Sequence, residues 1–218
     1  MLSIHETEVN TVADKAVEII RNQILSGILI SGEKLKHSVL AKEFRMSATP
    51  IREALSRLEK HKLVEHVARK GWIVRKVSKK EAKQIYEVRE YIEGLNVRLV
   101  CEIANNEILN EIRKEYDVFD YNLNNGDLNG CLISDMNFHK LLAIKSGNKF
   151  AFDILDDLFD LICVIRRNEI DIDSLYNTQK DHMEIIEAIA SKKPEIAEQA
   201  VRNHIRGCHE MIDQRLSD

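Results

Sequence analysis

The sequence predicts a mainly α-helical chain in two parts: a small basic N-terminal domain ending in a β-hairpin, and a larger acidic domain made of helices alone. Three observations carry this. The 218 residues contain only eight glycines and two prolines, which suits long helices joined by few turns. Charge is segregated: residues 1–80 hold 16 Lys and Arg against 9 Asp and Glu, whereas residues 81–218 hold 16 against 27. Beyond residue 77 the apolar periodicity is helical throughout.

The elements follow in order. In VADKAVEIIRNQILSG, residues 12–27, apolar positions recur near a 3.6-residue period, and Gly27 offers a stop. A connector with a turn at Gly32 leads to the short helix SVLAKEFRM, for which Ser38 is a candidate N-cap. SATPIREALSRLEKHK is the next helix. Either Ser47 or Thr49 can cap it, and Pro50 falls in its first turn, where a backbone N–H lacks a helical partner anyway. Ile51, Ala54, Leu55 and Leu58 make its buried stripe, which leaves Arg52 off the stripe in an early turn. LVEHV and WIVRKV flank ARKG, a hairpin with RKG at its tip. Three helices followed by a hairpin is the order of a winged helix-turn-helix. A helix N-terminus bearing Arg52, within a basic domain, points to duplex DNA.

From residue 78 the spacing predicts helices over about 79–104, 106–124, 127–145, 148–169, 172–191 and 194–216, broken at Asn, Asp, Gly, Ser or Pro clusters. The expected architecture is an antiparallel all-α bundle of six or seven helices spanning 78–218, after a DNA-binding domain over 1–77. No apolar run is long enough to span a bilayer, and no secretory leader is visible. Cys101, Cys131, Cys163 and Cys208 form no C-x-x-C pair, so they read as reduced core thiols of a cytoplasmic protein.

Histidines supply the chemistry of the second part. DMNFHKLL sets Asp135 and His139 four residues apart on one helix face, and His182 and His204 lie on two other helices. One carboxylate and three imidazoles on three antiparallel helices can converge on a divalent ion. His209 is turned about 100° per residue off the His204 face and reads as structural. His5, His37, His61 and His66 fall in the N-terminal part and form no cluster.

LAKEFRMSATPIREALSRLEKHKLVEHVARKGWIV resembles the winged helix-turn-helix of the GntR family of bacterial transcription regulators, over roughly residues 9–77. The resemblance implies phosphate and base contacts for Ser47, Thr49 and Arg52, and a wing tip at Lys70 and Gly71 entering the minor groove. Ala48 stands where the family commonly has Arg, so a guanine-reading side chain is missing and base preference there should be altered. Lys62 replaces the usual Gly.

Residues 81–218 resemble the FCD effector domain of the FadR-like branch. The matching stretches are IYEVREYIEGLNVRLV, DMNFHKLLAIKSGN and DHMEIIEAIASKKPEIAEQAVRNHI. The resemblance implies Asp135, His139, His182 and His204 as ligands of Zn, Ni or Mn, a set the fatty-acid-binding members lack. Departures at Asp181 and Lys149 touch none of the four. It further implies a small organic-acid or sugar-acid effector at the metal, with Arg89 completing its charge; the other reading of Arg89 is a surface i,i+4 pair with Glu93. A homodimeric repressor on a two-fold operator is the function expected. A metal-dependent hydrolase and a regulator sensing the ion itself remain the alternatives at this point.

Overall fold

The computed structural model describes residues 11–167 and 171–215. They divide into two compact units, the first ending at Val77 and the second starting at Ser78.

In the first unit α1 (Val12–Leu25) begins in a capping box: the Thr11 side chain accepts from the Asp14 N–H, and the Asp14 carboxylate reaches back to the Thr11 N–H. The helix ends at Ser26, and Gly27 follows with φ +74°, the left-handed conformation glycine adopts without strain. β1 (Lys34–Leu35), α2 (His37–Glu43), α3 (Ala48–Lys60), β2 (Val64–Val67) and β3 (Gly71–Val74) complete it. The strands form one antiparallel sheet in the order β1-β3-β2, with Lys34 opposite Ile73 and Glu65 opposite Ile73 from the other side. Ile51, Ala54, Leu55 and Leu58 of α3 are buried, as are Ala16, Ile20 and Ile24 of α1, on which α3 packs. Each leucine so buried contributes about 1.5–3 kcal/mol.

Two local expectations change. Ser38 does not cap α2. Lys36 is the N-cap and the helix starts at His37, two residues earlier than a Ser38 cap would set it, with the Lys36 carbonyl accepting from the N–H groups of Val39 and Leu40. Gly71 is not at the hairpin tip: it opens β3 opposite Val67, and the tip is residues 68–70. Gly71 has φ +81°, which explains a glycine there.

The second unit is helical: α4 (Lys79–Ile103), α5 (Asn106–Asn124), α6 (Leu128–Lys145), α7 (Lys149–Arg167), α8 (Ile172–Ala190) and α9 (Pro194–Arg215). Side-chain caps at Ser78, Asn105, Asp127 and Asp171 start four of them. The expected end of the fourth helix near residue 169, the last residue of the sixth, and His5 lie outside the described residues. α6 is buried on most of its circumference, in contact with α4, α5 and α7. α4 lies along α9, and Gly94 permits that approach: a Cβ there would sit 3.1 Å from the Arg202 side chain. All four cysteines are buried free thiols. Among the described residues no helix is long and apolar enough to cross a membrane.

Candidate metal centre and DNA-binding surface

On the first unit, Ser47 occupies the N-cap position of α3. Its side chain makes no cap hydrogen bond. The usual N3 donor for such a cap would be residue 50, which is proline and has no N–H. The start of α3 therefore presents a hydroxyl and unpaired N–H groups outward, with Ser47 and Thr49 both exposed. Arg52 is exposed one turn further on and donates from Nη2 to His37 Nε2 at 3.1 Å. Arg57, on the other side of α3, meets Asp14 of α1 at 2.5 Å and is a tie within the unit.

Arg52 and the wing meet in one cleft of about 510 Å³. Lys36, His37, Arg52, His66, Lys70 and Gly71 line it, and no carboxylate does. Ser47 and Thr49 are not part of its lining. Sequence reasoning did not single out Lys36 or His66. His66 lies opposite Trp72 in the sheet register, with their rings 5.0 Å apart on the wing.

In the second unit α6 contributes Asp135 and His139, α8 contributes His182 and α9 contributes His204. All four are buried, and each offers a ligand atom within 4.8 Å of the others. His139 Nε2 lies 3.2 Å from His204 Nε2, and His182 Nε2 lies 3.4 Å from Asp135 Oδ1.

The groups behind these four decide which atoms face inward. Glu93 of α4 holds His139 at Nδ1, and Asp181 of α8 holds His204 at Nδ1, 3.1 Å away. With Nδ1 donating outward, each Nε2 is left as the inward atom. Two inward lone pairs 3.2 Å apart repel unless a cation sits between them, whether a proton or a metal ion. Arg166 of α7 grips Asp135 Oδ2 and leaves Oδ1 facing the imidazoles. Asp135 Oδ1 and both ring nitrogens of His182 have no hydrogen-bond partner although buried. Orphaned polar atoms of this kind are costly in a protein interior. A carboxylate oxygen and three imidazole nitrogens are a donor set that suits a divalent first-row ion. The residues present therefore fit a metal.

Electrostatics follow the same pattern. Burial pushes His182 down to about 3, which keeps its imidazole neutral and able to donate a lone pair. Burial alone would raise Asp135 and Glu93. Arg166 overrides it at Asp135 and holds that carboxyl well below its usual value, while Arg89 and His139 hold Glu93 at about 2. Burial lowers His204 too, but the neighbouring Cys208 sulfur and the Asp181 hydrogen bond outweigh it and raise His204 to about 10.

Arg89 is not in a surface pair with Glu93. Both are buried, and the pair forms inside the bundle because Arg89 and Glu93 lie on the inward face of α4. Its Nε is spent on Glu93, while Nη1 and Nη2 have no partner. The Tyr86 hydroxyl, on the same helix face one turn earlier, is also buried and unpartnered. Unsatisfied donors beside the imidazole cluster describe a place for an anion. His209 stays apart from the four ligand candidates and stacks on Tyr86, 5.7 Å between rings. Sequence reasoning missed Arg166, Glu93 as an orienting group, and Asp181. For Glu93 the signal was its i,i+4 spacing to Arg89; for Arg166 there was none.

Comparison with known proteins places a family match on each of the two units. The model of the family described as bacterial regulatory proteins, gntR family, matches residues 12–74, and the FCD domain model matches residues 84–207. The uncharacterized HTH-type transcriptional regulator YdhC of Bacillus subtilis (strain 168) is 31% identical over 187 residues, covering 85% of this chain and 84% of that protein. The HTH-type transcriptional repressor GlaR of Escherichia coli (strain K12) is 24% identical, covering 91% and 94%. A crystal structure of a GntR transcriptional regulator from Rhodococcus sp. RHA1 shares the fold with a TM-score of 0.85 at 19% identity, covering 94% of this chain and 99% of that one. With a DNA-reading unit and a helical FCD unit both matched, the chain belongs to the GntR family in its FadR-like architecture, and it is a DNA-binding transcriptional regulator rather than an enzyme.

Proposed function

We propose that the chain is a cytoplasmic homodimeric repressor whose operator affinity is set by a small organic-acid or sugar-acid effector bound beside a divalent metal in the FCD unit. The observation that carries this reading is the pairing of Asp135, His139, His182 and His204, aimed inward by Arg166, Glu93 and Asp181, with the unpartnered guanidinium nitrogens of Arg89. Those four side chains would hold the ion. A metal with four protein ligands retains coordination positions for a carboxylate. Arg89 would bind the anion's remaining charge, and burial would strengthen that interaction by excluding water. Zn, Ni and Mn all suit the donors.

On DNA, Ser47, Thr49 and the free N–H groups of α3 would take phosphate, Arg52 would reach base edges, and Lys70 and Gly71 would bring the wing to the minor groove. Ala48 offers no hydrogen bond, so the base at that position would be weakly discriminated. One such helix reads too few base pairs to be selective, hence two copies on a two-fold operator. Repression is the sense carried by the name of the relative GlaR.

Titration of operator affinity with Zn, Ni or Mn, with and without a panel of hydroxy acids and sugar acids, tests the reading. The expected result is that affinity responds to an acid only when metal is present. A response to metal alone would make the ion the signal, and no response to either would overturn effector control.

A further inference from the structure

On α4, Tyr86, Arg89, Glu93 and Asn96 recur at spacings of three, four and three, which places them on one inward face of the helix. None is more than 2% exposed. The imidazole cluster abuts this face at Glu93, which holds His139 at Nδ1 and Arg89 at Nε. Glu93 is thereby spent, and its neighbours on either side are not. Among the described residues, the Tyr86 hydroxyl, Arg89 Nη1 and Nη2, and both Oδ1 and Nδ2 of Asn96 have no hydrogen-bond partner. Asn96 is not one of the four ligand candidates and orients none of them. An amide buried with neither end paired costs the fold its desolvation, and an apolar side chain would fill the position without that cost. A ligand that pairs both ends offsets it.

We infer that Asn96 determines the specificity of the effector site, and that the effector is a straight-chain polyhydroxy monocarboxylate of about five or six carbons. This rests on the reading of the FCD unit as an effector-binding unit. Reach sets the size. The Arg89 guanidinium lies over the Tyr86 ring, 5.5 Å from its centroid, so the free cationic donors stand at the Tyr86 end of the face. Asn96 stands at the other end, its Cα about 10 Å along the helix axis from that of Arg89. An extended carbon chain advances about 1.2 Å per bond, so a six-carbon acid spans about 8 Å from carboxylate oxygen to terminal hydroxyl, and a hydrogen bond of about 3 Å completes the reach. Lactate spans less than half of this and cannot meet both ends.

Polarity sets the class. Tyr86 and Arg89 offer donors, which suit the carboxylate. Asn96 offers one acceptor and an amino group that donates. A hydroxyl both donates and accepts, so adjacent hydroxyls on one carbon chain satisfy both ends of the amide. A second carboxylate accepts only: it would pair with Nδ2 and set its charge against Oδ1. An alkyl chain would pair with neither. The amide therefore selects a hydroxylated tail over a dicarboxylate or a fatty acid of the same length.

The test is calorimetric titration of the zinc-loaded full chain, wild type and Asn96→Ala, with D-gluconate, D-galactonate and L-gulonate as six-carbon polyhydroxy acids, lactate as the short acid and adipate as the six-carbon dicarboxylate. In the wild type, at least one of the three polyhydroxy acids should bind about 10-fold or more tightly than lactate and adipate. Asn96→Ala should remove that advantage and leave lactate affinity unchanged. Its melting temperature without ligand should match or exceed that of the wild type, because the amide has no partner to lose. A lower melting temperature would show Asn96 to be paired within the fold and would overturn its role, as would unchanged selectivity in the variant. Lactate or adipate binding the wild type as tightly as the polyhydroxy acids would overturn the class and leave the effector site standing. A wild type that binds none of the five acids would sink the effector reading itself, and this inference with it.

Discussion

The two units keep their polar residues in opposite places. In the first, the residues assigned to DNA stand on the surface: Ser47, Thr49, Arg52 and Lys70 are all exposed. In the second, Arg89, Glu93, Asp135, His139, Arg166, His182 and His204 are each at most 2% exposed. An exposed contact acts almost alone, since water satisfies it whenever the partner is absent. A buried polar cluster is mutually dependent, since removing one member strands another in low dielectric. The first unit can therefore change what it reads one residue at a time. The second must change its chemistry as a set.

The sharpest way to break this contrast is Arg166→Ala. It would leave the Asp135 carboxylate buried without its ion pair and should destabilise the second unit by about 3–5 kcal/mol in denaturant unfolding of the metal-free protein. A loss below about 1 kcal/mol would show that Asp135 relaxes to solvent. Next, His182→Ala should abolish bound metal by elemental analysis and remove the increase in melting temperature that added metal confers, since the ion would bind the folded state alone. His209→Ala should retain the metal, and a reversal between these two histidines would break the proposed ligand set.

Smaller effects belong to the first unit. Arg52→Ala should weaken operator binding by about 1–3 kcal/mol at fixed salt with the melting temperature unchanged. Lys70→Ala should weaken binding to all sequences alike and reduce the slope of log affinity against log salt by about 1. If Arg52→Ala altered stability as much as affinity, the independence of the exposed contacts would fail.

The smallest expected effect concerns acid. Glu90 accepts hydrogen bonds from Arg202 and Arg206 of α9 at 3.1 and 2.6 Å. Burial alone would raise its carboxyl, but these bonds lower it below the ordinary 4.5. A depressed carboxylate stabilises the folded state above its unfolded value and ceases to do so as pH falls through its folded value. The stability gap between wild type and Glu90→Gln should therefore be widest above the ordinary carboxylate range and close as pH falls below it through the lowered folded value. A gap independent of pH would mean that the bonds do not depend on the charge.

The fold was legible in the sequence to a degree set by local signals. Thr11, Ser78 and Asp171 announce helix starts through capping boxes, and Gly27 a helix end. Ser38 misled because a hydroxyl before an apolar run is a common cap, while here the chain enters the helix two residues earlier, at Lys36, without a side-chain cap. The four ligand candidates were legible through an i,i+4 pair and a resemblance.

What the sequence determined by itself was therefore what neighbours within about one helical turn govern: most of the caps, the apolar stripes and the ATPIREAL recognition helix. What only the tertiary structure decided was the partner of each buried charge. Arg166 reads in sequence as one of two basic residues ending α7, where it complements the helix dipole. Folding brings it 31 positions back along the chain to Asp135. Glu93 likewise meets His139 across 46 positions, and His139 meets His204 across 65. No local pattern encodes such pairs, because they are selected by the cost of leaving a charge unpaired once the helices have closed over it.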